Sequence, residues 1–344
     1  MVFNLRTFSF AESVEDDPTP PKSFSIKELR RATDNFSSNN IVGYFLSGKV
    51  YKGRLADGSL VSVHRASYVD LSSEEGFEAE VQVGSTVSTH PNVLRLRGFC
   101  RIEEELLLVK GACTPSHQGN IKILHRHISP SNILLNVHFE AVIGGFSLAE
   151  IMHENNAEEG TIVWPMRSSD SGSDSRSYHR YEDVYVNTTS FCGTFIYCAP
   201  EYFFTGKCTV KNDVYAYGKM LLELMSGTDI SKLNSLAVDE DLSLEKWIGD
   251  LKNKNELGRV IDPNLQGNYV EEEAERLVGF ALLCSHVDPS IRPEMSEVVR
   301  MLESQFLQRD PSTSTRSSWS QSEGDSTPYY SFPPSPSPPL GIAP

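Results

Sequence analysis

The sequence has no long apolar run. Its longest, such as Leu106–Val109 and Met220–Leu222, fall far short of the ~20 residues that a membrane span needs, so no direct membrane insertion is expected. Positive charge is scarce. The 344 residues hold 31 Lys+Arg against 46 Asp+Glu, a formal net charge of −15. With no basic field to attract phosphates, no nucleic acid or anionic membrane surface is expected as a partner. The six cysteines, at 100, 113, 192, 198, 208 and 284, form no CxxC pair and do not cluster with histidine. They read as reduced thiols of a cytoplasmic protein, with no metal site. Met1-Val2-Phe3 lacks the charged-then-apolar layout of a signal peptide, and Val2 stands where myristoylation needs glycine. What is present is ordinary: 39% hydrophobic and 22% charged residues, enough core for one large domain or two lobes.

Along the chain, residues 1–23 carry Glu12, Glu15, Asp16 and Asp17 ahead of Pro18, Pro20 and Pro21, and read as a flexible leader. Order is expected from Ser25, which with Glu28 spells a capping box, followed by Leu29, Ala32 and Phe36 at helical spacing. From Ile41 to Val63 the pattern is strand-like, with Ala56-Asp-Gly58 as a hairpin turn. Residues 74–89 read as helix and 93–109 as strand, and further helices are expected over 213–225, 271–286 and 294–305. Two stretches read as disordered. Residues 153–190 are rich in Ser, Asp and Glu, centred on Ser168-Ser-Asp-Ser-Gly-Ser-Asp-Ser175. The tail from 305 to 344 holds 10 Ser and 8 Pro in its last 35 positions, too little apolar content to offset ordering entropy. Its Pro333-Pro-Ser-Pro-Ser-Pro-Pro339 favours polyproline II.

A strand-rich first third with a glycine loop, then a helical remainder, resembles a two-lobed protein kinase. Gly43-Tyr-Phe-Leu-Ser-Gly48-Lys-Val50 looks like the glycine-rich loop and its second strand, and Val61-Ser-Val-His64 the strand that normally ends in lysine. Phe77-Glu-Ala-Glu80 resembles the regulatory helix, His125-Arg-His-Ile-Ser-Pro-Ser-Asn132 the catalytic loop, and Gly144-Gly-Phe-Ser147 the metal-binding turn. Ala199-Pro-Glu201, Asp213-Val-Tyr-Ala-Tyr-Gly218 and Arg292-Pro293 follow in family order. The opening Phe24-Ser…Glu28-Leu…Ala32-Thr…Phe36 is similar to the plant receptor-like kinases. Asn92–Cys100, Phe139-Glu-Ala-Val142 and Leu265-Gln-Gly-Asn-Tyr269 narrow the resemblance to the somatic embryogenesis receptor kinase group. The fold it implies is α+β: a small antiparallel-sheet lobe over 24–109 and a larger helical lobe over 110–304. The larger lobe is shortened, because only 14 residues separate Lys110 from His125.

Phosphoryl transfer is positioning plus neutralisation of phosphate charge, by a lysine, magnesium and a base. Against the family pattern, the lysine position is His64, the base position is His127, and the magnesium-binding aspartate is Gly145, which has no side chain. Phe45 replaces the middle glycine of the loop, where backbone amides should approach phosphate. Gly43, Gly48, Val50, Glu80 and Asn132 are then a vestige of a nucleotide site, and ATP and magnesium binding is expected to be weak or absent. What remains by resemblance is architectural. Glu201 and Arg292 correspond to a buried ion pair, and Asp213 to the carboxylate that bonds the catalytic-loop backbone. Glu80 either bonds His64 or belongs to a solvated acidic face with Glu74, Glu75 and Glu78. Arg126 either pairs with a phosphate placed on Thr188, Thr189 or Ser190, or bonds carbonyls structurally.

These substitutions imply a catalytically impaired cytoplasmic kinase-like protein, acting by binding in receptor-like kinase signalling. Its expected partners are proteins, membrane-bound receptor-like kinases above all. A weakly active Ser/Thr kinase and a non-functional truncated product are the alternatives.

Overall fold

Alternating apolar residues in the first third of the chain fold into one sheet. The computed structural model of the chain describes residues 20–45, 48–86, 90, 92–102, 105–111, 122–135, 140–165, 178–188 and 193–304. The sheet comprises β1 (Lys22–Ser23), β2 (Ile41–Phe45), β3 (Gly48–Arg54), β4 (Leu60–Ala66), β5 (Arg95–Ile102) and β6 (Glu105–Gly111), in the order β1-β5-β6-β4-β3-β2. All neighbours are antiparallel except β1 and β5. Helix α1 (Ile26–Ala32) opens on the capping box: Ser25 accepts from the Glu28 amide while Glu28 accepts from that of Ser25. Leu29 and Phe24 then pack with Val61, Val63, Leu107 and Val109 on one face of the sheet.

Register decides what the other face carries. Val63 pairs with Val109 on the α1 side, so the flanking pairs Ser62–Lys110 and His64–Leu108 project from the opposite side. That side meets helix α2 (Leu71–Thr86), whose buried residues are Phe77, Glu80, Val83 and Gly84.

Beyond the sheet come β7 (Ile123–Leu124), β8 (Ile133–Leu135), β9 (Ala141–Ile143), β10 (Glu150–Ile151), β11 (Ala157–Pro165) and β12 (Tyr178–Asn187). Helix α3 (Pro200–Thr205) and β13 (Lys207–Cys208) follow, then α4 (Val210–Ser226), α5 (Ile230–Asp239), α6 (Leu244–Asn253), α7 (Glu271–Cys284) and α8 (Met295–Leu302). Helix α4 is almost entirely buried. It joins Leu222 to a core of Ile230, Leu233, Trp247, Ile248, Val278 and Ala281 drawn from α5, α6 and α7. Its N-terminus is capped by Thr209, in a box with Asn212, so Asp213 sits in the first turn rather than opening the helix.

Four expectations from sequence need correction. The stretch 153–190 is not simply disordered: its described residues contain β11 and β12, a nine-pair antiparallel ribbon extended by β13. Composition misled there because Glu158, Glu159, Arg180 and Glu182 are exposed on the ribbon, while Ile162, Trp164 and Tyr185 form a buried cluster. The Ser168–Ser175 run lies outside the described residues. The leader ends earlier than expected, because Lys22 and Ser23 hydrogen-bond alongside Gly98 and Phe99 of β5. Lys110 belongs to the small sheet, since β6 continues to Gly111 past the boundary drawn at 109. Helices α3, α5 and α6 were not expected, although α6 has a Ser243 cap and a buried stripe of Leu244, Trp247, Ile248 and Leu251. The tail from 305 lies outside the described residues.

Trp164 is 1% exposed and stacks on His179 directly across the ribbon, centroids 5.1 Å apart. Trp164→Ala should therefore cost about 3–5 kcal/mol in urea denaturation. A change within error would mean that the ribbon contributes nothing to the folded lobe.

Candidate functional site

The centre of the site is the loop from His125 to Asn132, between β7 and β8. Asp213 fastens it: Oδ2 accepts from the His125 amide at 2.6 Å and Oδ1 from the Arg126 amide at 2.9 Å. Burial pushes the Asp213 carboxyl up to about 6, even though the two amides favour its charged form. Arg126 sits at φ 62, a backbone conformation uncommon for a side chain of its size, and the two bonds stabilise it there. Its guanidinium donates to the Tyr202 hydroxyl at 3.1 Å and lies 3.7 Å from Glu150. The geometry is that of a structural arginine tying the loop to α3 and β10. The Thr188 hydroxyl donates to the Gly206 carbonyl at 2.9 Å, whereas Thr189 and Ser190 lie outside the described residues.

Two histidines of the loop are held neutral. His125 is 4% exposed; its Nε2 donates to the Gly144 carbonyl at 3.0 Å and its Nδ1 accepts from the His127 amide at 3.2 Å. Burial pulls its pKa down to about 4. Burial also lowers that of His127, whose Nε2 is 3.2 Å from the Thr194 hydroxyl. Asn132 donates from Nδ2 to the His127 carbonyl at 2.8 Å, so its amide is committed to the loop.

At the position of the expected metal ligand, Gly145 adopts φ +78. A Cβ built there would lie 2.2 Å from Asn132 Oδ1 and 2.5 Å from its Cγ. The Asn132 amide thus fills the space that a side chain at 145 would take. No three His, Cys, Asp or Glu side chains among the described residues are grouped to hold a metal.

Across the cleft, Gly43 lies on β2, and Gly48 and Val50 on β3. Phe45 reaches from the end of β2 to His64 on β4, ring centroids 5.7 Å apart. On the way it passes Gly48, where an added Cβ would come within 2.7 Å of its Cζ. The ring therefore occupies the interval between the glycine-containing hairpin and position 64. His64 hydrogen-bonds Ser62 Oγ at 3.3 Å, and burial together with the nearby Lys110 cation holds its pKa well below the usual value. Glu80 does not bond His64, and it is not part of a solvated face. It is 6% exposed and pairs with Lys110, Nζ to Oε1, at 2.6 Å. A buried charge at 110 is costly without a partner, and Glu80 is that partner, which the sequence did not reveal. The two residues are thirty positions apart, and the sheet register together with the packing of α2 on that face brings them together.

Glu201 and Arg292 meet with both side chains fully buried, Nη1 to Oε1 at 2.6 Å and Nη2 to Oε2 at 2.8 Å. Asn212 adds a bond to Glu201 at 2.6 Å, and the His286 carbonyl accepts from Arg292 Nε at 2.6 Å. Bidentate pairing with further hydrogen bonds is what lets such a pair offset its desolvation.

A two-lobed arrangement with this loop, helix and ion-pair set defines a protein kinase fold. The family model for the protein kinase domain matches residues 116–307, and the chain belongs to that family. It is similar to a probable LRR receptor-like serine/threonine-protein kinase of Arabidopsis thaliana, 34% identical over 323 residues, covering 83% of this chain and 48% of that protein. The LRR receptor kinase SERK2 of Oryza sativa subsp. japonica matches at the same identity and coverage. A second Arabidopsis protein described in the same words as the first is 33% identical over the same share. The chain thus spans about half the length of the curated relatives it matches. No helix among its described residues is long and apolar enough to cross a membrane.

The His125 pKa of about 4 sets a pH dependence. The folded state disfavours the imidazolium, so its contribution is complete above the unfolded value of 6.5 and is lost as pH falls towards about 4. Asp213, raised to about 6, works in the opposite sense: folding gains as pH falls through that value. Comparison with a variant isolates the histidine. The stability advantage of wild type over His125→Gln should shrink by about 3 kcal/mol as pH drops from 7 to 4 in urea denaturation. A pH-independent difference would refute the burial argument.

Proposed function

We propose that this chain is a pseudokinase, a kinase-fold protein that acts by binding another protein instead of transferring phosphate. The observation that carries this reading is Gly145, which offers no side-chain oxygen and whose side-chain space is already taken by Asn132. Magnesium requires several oxygen ligands at short range, and the turn that should supply a carboxylate has none. The remaining chemistry is missing in the same way. His64 is neutral where a phosphate-binding cation is needed, and His127 is neutral where a carboxylate base is needed. The Phe45 ring lies where phosphate would approach the backbone. Magnesium and a triphosphate do not fit the residues present.

The partner this reading favours is a membrane-bound receptor-like kinase, which would hold the chain on the cytoplasmic face of the plasma membrane as a scaffolding component. The support is kinship: the relatives at 34% identity are named receptor kinases. The Asp213 bonds to the loop and the separate Glu201–Arg292 pair hold the lobe together without a nucleotide.

ATP with magnesium should leave the melting temperature unchanged, and a magnesium-dependent rise would overturn the proposal. Restoring His64→Lys, His127→Asp and Gly145→Asp together should give no radiolabel transfer. The new aspartate would have to displace Asn132 from a backbone at positive φ, and Gly145→Asp alone should cost about 1–3 kcal/mol in urea denaturation.

A further inference from the structure

We propose that Lys110 is a transposed positioning residue, supplying from β6 the cation that clamps helix α2 to the small sheet in place of one on β4. The argument is one of register. His64 on β4 faces Leu108 on β6, and Ser62 faces Lys110. Positions 64 and 110 are therefore diagonal neighbours on one side of the sheet, within reach of the same long side chains. That side is the one α2 covers, and Glu80 is the acidic residue on its buried face. A lysine on either strand can meet the carboxylate. In this chain it comes from 110, at 2.6 Å, with both side chains under a tenth exposed.

The clamp matters because the other polar ties of α2, Arg101 to Glu74 and Glu78, are exposed, and its apolar packing is confined to a few residues such as Val83 against Phe146 and Ile151. Of its sixteen residues only Phe77 and Val83 bury large apolar side chains, Phe77 edge-on to Phe99 at 5.9 Å. A buried charge also cannot simply lose its partner, because the survivor is left desolvated and uncompensated. The pair therefore biases α2 strongly towards the sheet, and it needs no bound ligand to do so. One cation satisfies one carboxylate, and the half-buried ring at 64 stays uncharged beside it. This inference does not depend on the pseudokinase reading, since an active enzyme would be clamped in the same way.

Hydrogen–deuterium exchange on the full chain tests it. Lys110→Leu should speed exchange in Leu71–Thr86 by about tenfold or more, with α7 unchanged. Moving the lysine back, as His64→Lys with Lys110→Leu, should return α2 to within about twofold of wild-type protection. Unchanged α2 exchange in Lys110→Leu would overturn the proposal, as would a double variant no better protected than the single one. Should Lys110→Leu fail to fold, the double variant decides alone. Folding with a protected α2 supports the transposed clamp, and failure to fold refutes it.

Discussion

The carboxylate of Asp213 is the constraint on which the centre of the molecule depends. Two backbone amides at 2.6 and 2.9 Å fix His125 and Arg126, and through them the course of the loop to Asn132. Burying that carboxylate is unfavourable enough to lift its pKa to about 6, so the amides are needed as much by Asp213 as it is by them. Arg126 is thereby held at positive φ with its guanidinium turned to Tyr202. Asn132 closes the loop onto the His127 carbonyl and is left standing where a side chain at 145 would go. The shape of the loop therefore rests on hydrogen bonds that Asp213 and Asn132 make to its own backbone.

This separates architecture from chemistry in physical terms. The Glu201, Arg292 and Asn212 side chains satisfy one another inside the fold, as Asp213 and the His125 and Arg126 amides do, and removing a side chain from either set would strand a buried polar partner. Residues 64, 127 and 145 belong to no comparable network: the His64 ring bonds Ser62 Oγ, the His127 ring bonds the Thr194 hydroxyl, and Gly145 has no side chain. The Lys110–Glu80 pair is of the first kind, although it lies at the edge of the cleft.

Local features were legible in the sequence, and features set by distant pairing were not. The Ser25–Glu28 box needs only spacing, and it forms. The strands from Ile41 to Val63 follow their alternation, and the order of motifs was enough to indicate the two-lobed fold. The partner of Glu80 was not legible, because no local pattern says that Lys110 rather than His64 will meet it. That depends on which face each strand turns to α2. The ribbon of β11 and β12 was hidden for a related reason. Its strands are stabilised by Ile162, Trp164 and Tyr185 meeting across the pairing, while composition weighs every residue alike.

The cleft's charge follows from the same accounting. Lys110 and Glu80 cancel, His64 and His127 are uncharged, and Gly145 contributes nothing. A site built for a magnesium nucleotide carries unbalanced carboxylates and an accessible cation, and is relieved when metal and phosphate arrive. This one is balanced as it stands. A triphosphate entering it would meet the Glu80 carboxylate with the nearest cation already engaged. In a partly desolvated site such repulsion is far stronger than in water. The −15 net charge of the whole chain adds a weaker, salt-screened repulsion of the same sign. One lysine, wherever the register admits it, is enough for Glu80.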